Sequence, residues 1–162
     1  MSDYFNIFCN IDYYHKLYNH GNIINIENEY LQFSTQTTCD LSNIVTQMYS
    51  LDRRAHHRCK PSITENIGDF MVKIWCIHGI RHRNDKPTYA EYEYGKVMYC
   101  EYVVNGKVHN SNGPAVLYYH KVYSKSGKSK IYLQMKEWWI DDEFIKCESY
   151  NQKGQILKIF TK

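Results

Sequence analysis

Residues 102–115 read YVVNGKVHNSNGPA, and this stretch decides the fold. Its Asn105-Gly106 pair follows two valines, and Asn-Gly is the strongest short sequence signal for a two-residue β-hairpin turn. With this turn, Tyr102 lies directly across from His109 on the adjacent strand. The stretch therefore predicts a β-hairpin in which an aromatic residue and a histidine are cross-strand partners, a contact that contributes about 0.2 to 1 kcal/mol.

The same spacing recurs towards the N-terminus. The three prolines of the chain lie 26 and 27 residues apart, and each follows a histidine by five residues, a turn residue by eight and an aromatic residue by twelve. The residues concerned are Tyr49, Arg53, His56 and Pro61; Trp75, Gly79, His82 and Pro87; and Tyr102, Gly106, His109 and Pro114. A repeat of fixed period indicates stacked structural units, here near residues 49–61, 75–87 and 102–114.

A fourth, degenerate unit is predicted near residues 139–151, WIDDEFIKCESYN. Trp139 takes the aromatic position and Lys146 takes the position of the histidine. A turn at Asp142-Glu143 places the Lys146 ammonium against the Trp139 ring, as a cation–π contact. In the first two units the corresponding turns are Asp52-Arg53 and His78-Gly79.

The composition favours a sheet over a helix bundle. Aromatic residues make up 15% of the chain, with 16 Tyr against 3 Pro and 8 Gly, and aromatic side chains suit a pleated, half-buried surface. Strand-like runs cover residues 70–77, 96–104, 115–123, 130–140 and 155–160. Because proline cannot donate to a strand ladder, the three prolines should lie just outside strands. The predicted fold is mainly β (α+β): an antiparallel β-hairpin meander of stacked repeats with a small helical N-terminal segment.

The first third of the chain is a different kind of segment. Apolar residues recur at intervals of three and four from Tyr4 to Tyr18, which predicts a helix. A shorter apolar stripe predicts a second helix over residues 41–48, and the segment from residue 22 to residue 34 fits either a strand or a helix. We therefore divide the chain into a partly helical cap segment, 1–47, which covers one face of the sheet, and a β-hairpin repeat domain, 48–162.

Two phrases, GIRHRNDKP (79–87) and NGKVHNSNGPA (105–115), resemble the repeat of a MORN-like protein family that is abundant in large DNA viruses of amoebae. That repeat runs aromatic-x-x-Asn/Asp-Gly-x-x-His-Arg-x-Asp/Asn-Gly-Pro-Ala. The matching residues are Trp75, Gly79, His82, Arg83, Asp85 and Pro87; Tyr102, Asn105, Gly106, His109, Asn112, Gly113, Pro114 and Ala115; and, at the anchors of a third unit, Tyr49, His56 and Pro61. The resemblance implies a viral protein of stacked β-hairpins that interacts with other proteins, and it implies no reaction.

The charge excludes a dedicated nucleic-acid binder. Twenty Lys and Arg against 17 Asp and Glu give a net charge of +3, which is too small for strongly salt-dependent binding. A basic stripe in the first two units consists of Arg53, Arg54, Arg58, Arg81 and Arg83. With aromatic residues between them, such a stripe is typical of weak single-strand binding, although a basic sheet edge also prevents aggregation. A protein partner is the first hypothesis, with weak nucleic-acid binding as the alternative.

Two further features bear on function. Trp138 and Trp139 are adjacent in a predicted strand, so their rings point to opposite faces and one of them, taken as Trp138, is a candidate partner contact. The repeated histidine could be a metal ligand or a general base, but its fixed position opposite a ring favours a structural role. His56, His57 and Cys59 lack an obvious fourth metal ligand, and no carboxylate pair of a glycosidase is recognisable. We expect no enzymatic activity, no metal and no cofactor.

The compartment and the oligomeric state follow from cysteine usage and from the C-terminal strand. The six cysteines show no C-x-x-C spacing and the first ten residues do not resemble a signal peptide. We expect reduced thiols in the host cytoplasm or nucleus, or in the virion, without secretion, and no membrane span. Residues 155–160 form an apolar sheet edge. We favour a homodimer through this edge over a monomer in which the N-terminal helix covers it.

Overall fold

The computed structural model describes residues 22–27, 30–39, 42–51, 54–56 and 59–162, including the side chains of residues 55, 56 and 59–162. These residues form sixteen β-strands. The strands are β1 (Asn22–Glu27), β2 (Tyr30–Cys39), β3 (Ser42–Leu51), β4 (Arg54–Ala55), β5 (Ile63–Ile67), β6 (Phe70–Ile74), β7 (Cys76–Ile77), β8 (Ile80–Arg81), β9 (Tyr89–Glu93), β10 (Lys96–Glu101), β11 (Val103–Val104), β12 (Lys107–Val108), β13 (Val116–Tyr123), β14 (Ser129–Ile140), β15 (Glu143–Tyr150) and β16 (Ile156–Thr161). The prediction of a mainly β fold is confirmed.

Twelve of the strands form one antiparallel sheet, the main sheet. Its order is β1-β2-β3-β5-β6-β9-β10-β13-β14-β15-β16, and β4 pairs with β3. Two short hairpins, β7-β8 and β11-β12, are separate two-stranded sheets. The main sheet is the predicted meander, but these two repeat hairpins lie outside it, which corrects the prediction of one continuous sheet.

The chain leaves the main sheet at the aromatic residue of each unit. The N–H of Trp75 donates to the carbonyl of Thr88 at 2.8 Å and continues the β6-β9 ladder, whereas its C=O accepts from the N–H of His82 at 3.4 Å, in the β7-β8 ladder. Tyr102 makes the equivalent bonds, at 2.8 and 3.1 Å. One peptide group therefore joins two ladders, and the two predicted strands that run through these aromatic residues are each divided there.

The turns of the small hairpins have the predicted register. Asn105 and Gly106 connect β11 to β12, and their φ angles of 51° and 81° are those of a type I′ turn. His78-Gly79 connects β7 to β8 in the same way. The pairing of β3 with β4 is the one expected for a turn at residues 52–53, which lie outside the described residues. The predicted pairing register is confirmed for β7-β8 and β11-β12, and the β3-β4 pairing agrees with it.

The N-terminal part of the described chain extends the main sheet. The predicted second helix, residues 41–48, is wrong, because Ser42–Leu51 is strand β3 and pairs with β2 and β5. The segment contains Ile44-Val45-Thr46, and β-branched residues favour strands. The sequence of segment 22–34 fits either a strand or a helix, and most of this segment forms strands β1 and β2. The first predicted helix, from Tyr4 to Tyr18, lies outside the described residues.

The small core lies where the main strands give way to the hairpins. Pro61, Pro87 and Pro114 all lie outside strands, as predicted. The residues that follow them, Ser62, Thr88 and Ala115, are 0% exposed, as are Cys76 and Val103, which begin the small hairpins. No helix in the described part of the chain has the length and apolar character needed to cross a bilayer.

Candidate functional site

The hairpins of successive units stack through their turns. The second turn residue of one unit donates its backbone N–H to a carbonyl of the preceding unit. The pairs are Gly79 to Ala55 (2.9 Å), Gly106 to Arg81 (2.9 Å) and Asp142 to Val108 (3.0 Å). Each acceptor immediately precedes the repeated histidine, so the stacking follows the period of the sequence repeat.

The repeated histidine makes a second contact between units, which we call the histidine clip. Its Nδ1 accepts the backbone N–H of the first turn residue of the next unit. The pairs are His56 with His78 (3.1 Å) and His82 with Asn105 (3.1 Å). In the next unit, His109 Nδ1 lies 3.3 Å from the Asp141 backbone nitrogen and 3.0 Å from Asp141 Oδ1, so this ring also contacts the turn carboxylate. An accepting Nδ1 carries no proton, so the clips of His56 and His82 require imidazoles with their proton on Nε2. The imidazoles therefore connect one unit to the next, a role that the cross-strand spacing did not predict.

The fourth unit is shifted by one residue relative to its predicted alignment. Its turn is Asp141-Asp142, flanked by the pair Ile140 and Glu143, and both turn residues have positive φ, 51° and 68°. Asp142 then occupies the position of the turn glycine in the stack. The predicted turn Asp142-Glu143 is therefore wrong. Three consecutive acidic residues allow either turn in the sequence, whereas the hydrogen bonds to the preceding unit select one.

The shift places Trp138 in the aromatic position that was assigned to Trp139. Lys146 pairs with Trp138 beside a bulge, and its Nζ lies 4.0 Å from the centroid of that ring. Trp139 packs against Phe144, with ring centroids 5.2 Å apart, and its Nε1 donates to Glu137 at 2.9 Å. The predicted cation–π contact to Trp139 is wrong by one residue.

In the predicted basic stripe, the arginine side chains that the structure describes make contacts within the chain. Arg81 forms an ion pair with Glu101, and the side chains of both residues are largely buried. Arg53 and Arg58 lie outside the described residues, and only the backbone of Arg54 is described. The Arg81 guanidinium is thus neutralised by a neighbouring carboxylate, which does not favour phosphate binding at this position.

Arg83 stabilises the loop that precedes the second proline. Its guanidinium carbon lies 4.4 Å from the centroid of the Trp75 ring, and its NH1 donates to the carbonyl of Pro87 at 3.2 Å. In the next unit, Asn110 Nδ2 donates to the carbonyl of Pro114 at 2.9 Å. Two different side chains at the same repeat position therefore close the same loop.

Two adjacent cross-strand rows define the faces of the main sheet. The first row is Ile74, Tyr89, Glu101, Val116, Glu137, Cys147 and Phe160, each paired with the next. The second row is Lys73, Ala90, Cys100, Leu117, Lys136, Glu148 and Ile159. Since neighbouring residues of a strand point to opposite faces, the two rows lie on opposite faces, which we call the tyrosine face and the lysine face.

On the tyrosine face, three phenol rings contact one another in series. The Tyr89 and Tyr99 ring centroids are 5.7 Å apart, and those of Tyr99 and Tyr118 are 5.0 Å apart. The Tyr89 hydroxyl donates to Glu91 at 2.7 Å. Burial first, and neighbouring carboxylates second, raise the pKa of Tyr89 and the pKa of Tyr99. These phenols therefore remain neutral at physiological pH and act as hydrogen-bond donors.

On the lysine face, ammonium groups lie over aromatic rings. The Nζ-to-centroid distances are 5.2 Å for Lys73 and Tyr92, 5.1 Å for Lys136 and Tyr150, and 4.0 Å for Lys146 and Trp138. Lys146 also binds Glu148, at 2.8 Å. Lys146 was predicted from the sequence to contact a tryptophan ring, whereas Lys73 and Lys136 were not singled out, because strand bulges hide which residues share a face.

The titration of the lysine face reflects these contacts. The hydrogen bond from Lys146 is the main cause that lowers the pKa of Glu148. Burial, together with a hydrogen bond to Glu148, raises the pKa of Tyr150 to about 12. The carboxylate is therefore charged and the phenol neutral at pH 7, so the face combines fixed aromatic rings with a net excess of ammonium groups.

Groups that could perform chemistry do not converge in the described part of the chain. An open groove of about 500 Å³ beside β16 is lined by Tyr132, Gln134, Tyr150, Leu157 and neighbouring polar residues, without a histidine, cysteine or carboxylate among them. Within residues 59–162 and the shorter described segments, no three His, Cys, Asp or Glu side chains are placed to hold a metal ion. Burial raises the pKa of the Cys100 thiol to about 11, so this thiol is protonated at neutral pH.

The repeat positions thus have defined contacts, and lysine–aromatic pairs lie together on the lysine face of the main sheet. The MORN-like resemblance stays a prediction, carried by the sequence motifs alone. No protein-family model, curated protein or solved structure matches the chain.

Proposed function

We propose that the protein is a non-enzymatic interaction or structural module of a large DNA virus, and that its lysine face binds a protein partner. The stacked hairpins hold the main strands in place, and the main sheet presents the contact surface. The viral origin and the interaction role rest on the resemblance of the repeat units. The choice of surface rests on the contacts of the lysine face.

One observation carries this proposal: three lysines, Lys73, Lys136 and Lys146, lie over aromatic rings on the same face of the main sheet. Tyr and Trp side chains dominate the binding energy of many protein interfaces, because a rigid ring buries much area at a low entropic cost. A lysine stem that already packs on a ring has lost part of its rotamer freedom before a partner binds. Such pairs are pre-organised for contact with a partner that carries carboxylates.

The contacts that the arginines make within the chain favour a protein partner over nucleic acid. Recognition of a phosphate backbone relies on exposed Arg and Lys groups, whereas Arg81 is paired with Glu101 and Arg83 closes a loop. On the lysine face, Lys146 is also paired with Glu148. The surface is therefore more aromatic than cationic, as expected for a protein-binding surface.

The test is capture of partners from a lysate of infected amoebae, with the full chain as bait. The double variant Lys73→Glu/Lys136→Glu reverses two charges on the lysine face. The matched control is Lys130→Glu, because Lys130 pairs with Val122 on the tyrosine face. We expect a nuclease-resistant partner that binds the unmodified protein and the control but not the double variant. Equal capture by all three proteins, or capture only through nucleic acid, would contradict the proposal. Circular dichroism confirms that each bait is folded.

A further inference from the structure

The C-terminal strand is an apolar edge of the main sheet. All six residues of β16 are exposed, and Ile156, Leu157, Ile159 and Phe160 are 53, 66, 52 and 50% exposed. Among the described residues, β16 pairs with β15 alone. An exposed apolar edge strand without bulky protection is a template for another strand.

The backbone hydrogen bonds of β16 identify which of its peptide groups point outward. The N–H of Lys162 donates to the carbonyl of Ile145 at 3.2 Å, so Lys162 faces β15. Residues that face the partner strand alternate in an antiparallel pair, and Phe160 and Lys158 therefore face β15 as well. The N–H and C=O groups of Ile159 and Thr161 point away from the sheet, where a further strand would bind. At Leu157 a bulge opposite Ser149 and Tyr150 interrupts the alternation.

We propose that two copies of this chain pair antiparallel through β16, about a two-fold axis at Ile159. In this register Ile159 lies opposite the partner's Ile159, and Leu157 lies opposite the partner's Thr161. The outward N–H and C=O groups of Ile159 in the two strands then face each other and exchange about two hydrogen bonds by the antiparallel pattern. The same patch is used by both copies, which is the commonest arrangement of soluble homo-oligomers.

The charge pattern selects this register over its neighbours. With the axis at Ile159, Lys158 lies opposite the partner's Phe160, and within one chain the Lys158 Nζ already lies 4.1 Å from the Phe160 ring centroid. An axis at Lys158 would place Lys158 opposite the partner's Lys158, and directly opposed like charges are destabilising. An axis at Phe160 would place Lys158 opposite the partner's Lys162, which again opposes like charges. The strand is therefore self-complementary in one register.

The first experiment measures the mass of the full chain by light scattering across a concentration series. The expected mass is twice the monomer mass of 19.4 kDa. Ile159→Lys places two ammonium groups opposite each other at the axis, and we expect this variant to remain at 19.4 kDa. The matched control is Phe70→Lys, since Phe70 is 48% exposed in the interior strand β6, and it should keep the doubled mass.

The second experiment tests the register by amide hydrogen exchange. Pairing through β16 protects the N–H of residue 159 in the unmodified protein and exposes it in Ile159→Lys, whereas the Phe160 N–H stays protected in both. A constant monomer mass overturns the proposal, as does a mass that keeps rising with concentration. A dimer that survives Ile159→Lys, or one in which the amide of residue 159 is unprotected, also overturns it.

Discussion

At the scale of single residues, the repeated histidine has the most specific role in the molecule. Its backbone pairs with the aromatic residue of its own unit, while its Nδ1 accepts the turn N–H of the next unit. The sequence spacing predicted the first of these contacts and not the second. A side-chain contact across 23 residues leaves no local signal, because the turn residue contributes only its peptide group.

Replacing His82 tests the acceptor role directly. His82→Ala and His82→Phe both remove the acceptor of the Asn105 N–H, and we expect each to lower the free energy of unfolding by about 1 kcal/mol. The phenylalanine variant retains a ring, so equal losses assign the effect to the nitrogen. Urea unfolding measures the change. His120→Ala is the control, because the exposed His120 ring packs on Tyr132 within the main sheet. If His82→Phe is as stable as the unmodified protein, the histidine clip does not stabilise the fold.

At the scale of elements, the short hairpins were predictable and their placement was not. Asn105-Gly106 and the spacing of the three units led to the observed hairpin register, and the prolines marked the ends of strands. The sequence did not predict that the chain leaves the main sheet at Trp75. An apolar run gives no indication that the N–H and the C=O of one residue belong to different strand ladders. The turn at Asp141-Asp142 was misplaced by one residue because a bulge at Trp138/Trp139 shifts the pairing.

The tyrosine face predicts how stability depends on alkaline pH. Burial and nearby carboxylates raise the pKa of Tyr99 in the folded chain, so the folded state retains a proton that the unfolded state releases above pH of about 10. Stability contributed by this phenol is present below that pH and is lost as the pH rises further.

The corresponding measurement is the urea midpoint from about pH 8 to about pH 11. We expect Tyr99→Phe to show a shallower decline than the unmodified protein, since phenylalanine has no proton to release. Tyr123→Phe serves as control, because Tyr123 is 67% exposed, and its curve should follow that of the unmodified protein. Parallel curves for all three proteins would contradict the assignment.

At the scale of the whole molecule, the protein is organised as one main sheet with a column of small hairpins at the ends of its strands. The sequence predicted that residues 1–47 cover a face of the sheet, whereas β1, β2 and most of β3 lie within that range and extend the sheet at its edge. The two faces differ in chemistry, with tyrosines and carboxylates on one and lysine–aromatic pairs on the other. This division depends on strand register across several bulges, which no local pattern reveals.

The alternative function, nucleic-acid binding, is tested on the whole molecule. Because Arg81 and Arg83 make contacts within the chain and the net charge is +3, we expect no measurable binding to single-stranded or duplex DNA at moderate salt. Fluorescence anisotropy across a salt series measures this. Binding that persists at about 0.15 M salt and falls steeply at higher salt would instead favour the basic stripe as the functional surface.

The histidine clip joins successive units by a nitrogen-to-nitrogen hydrogen bond from the turn of one unit to the histidine of the preceding unit. Scalar coupling across this hydrogen bond, measured by NMR on the ¹⁵N-labelled full chain, detects it directly. We expect a cross-peak between the Asn105 amide nitrogen and His82 Nδ1, another between the His78 amide nitrogen and His56 Nδ1, and both imidazoles protonated on Nε2 alone. Imidazoles that carry their proton on Nδ1, with no such cross-peaks, would contradict it.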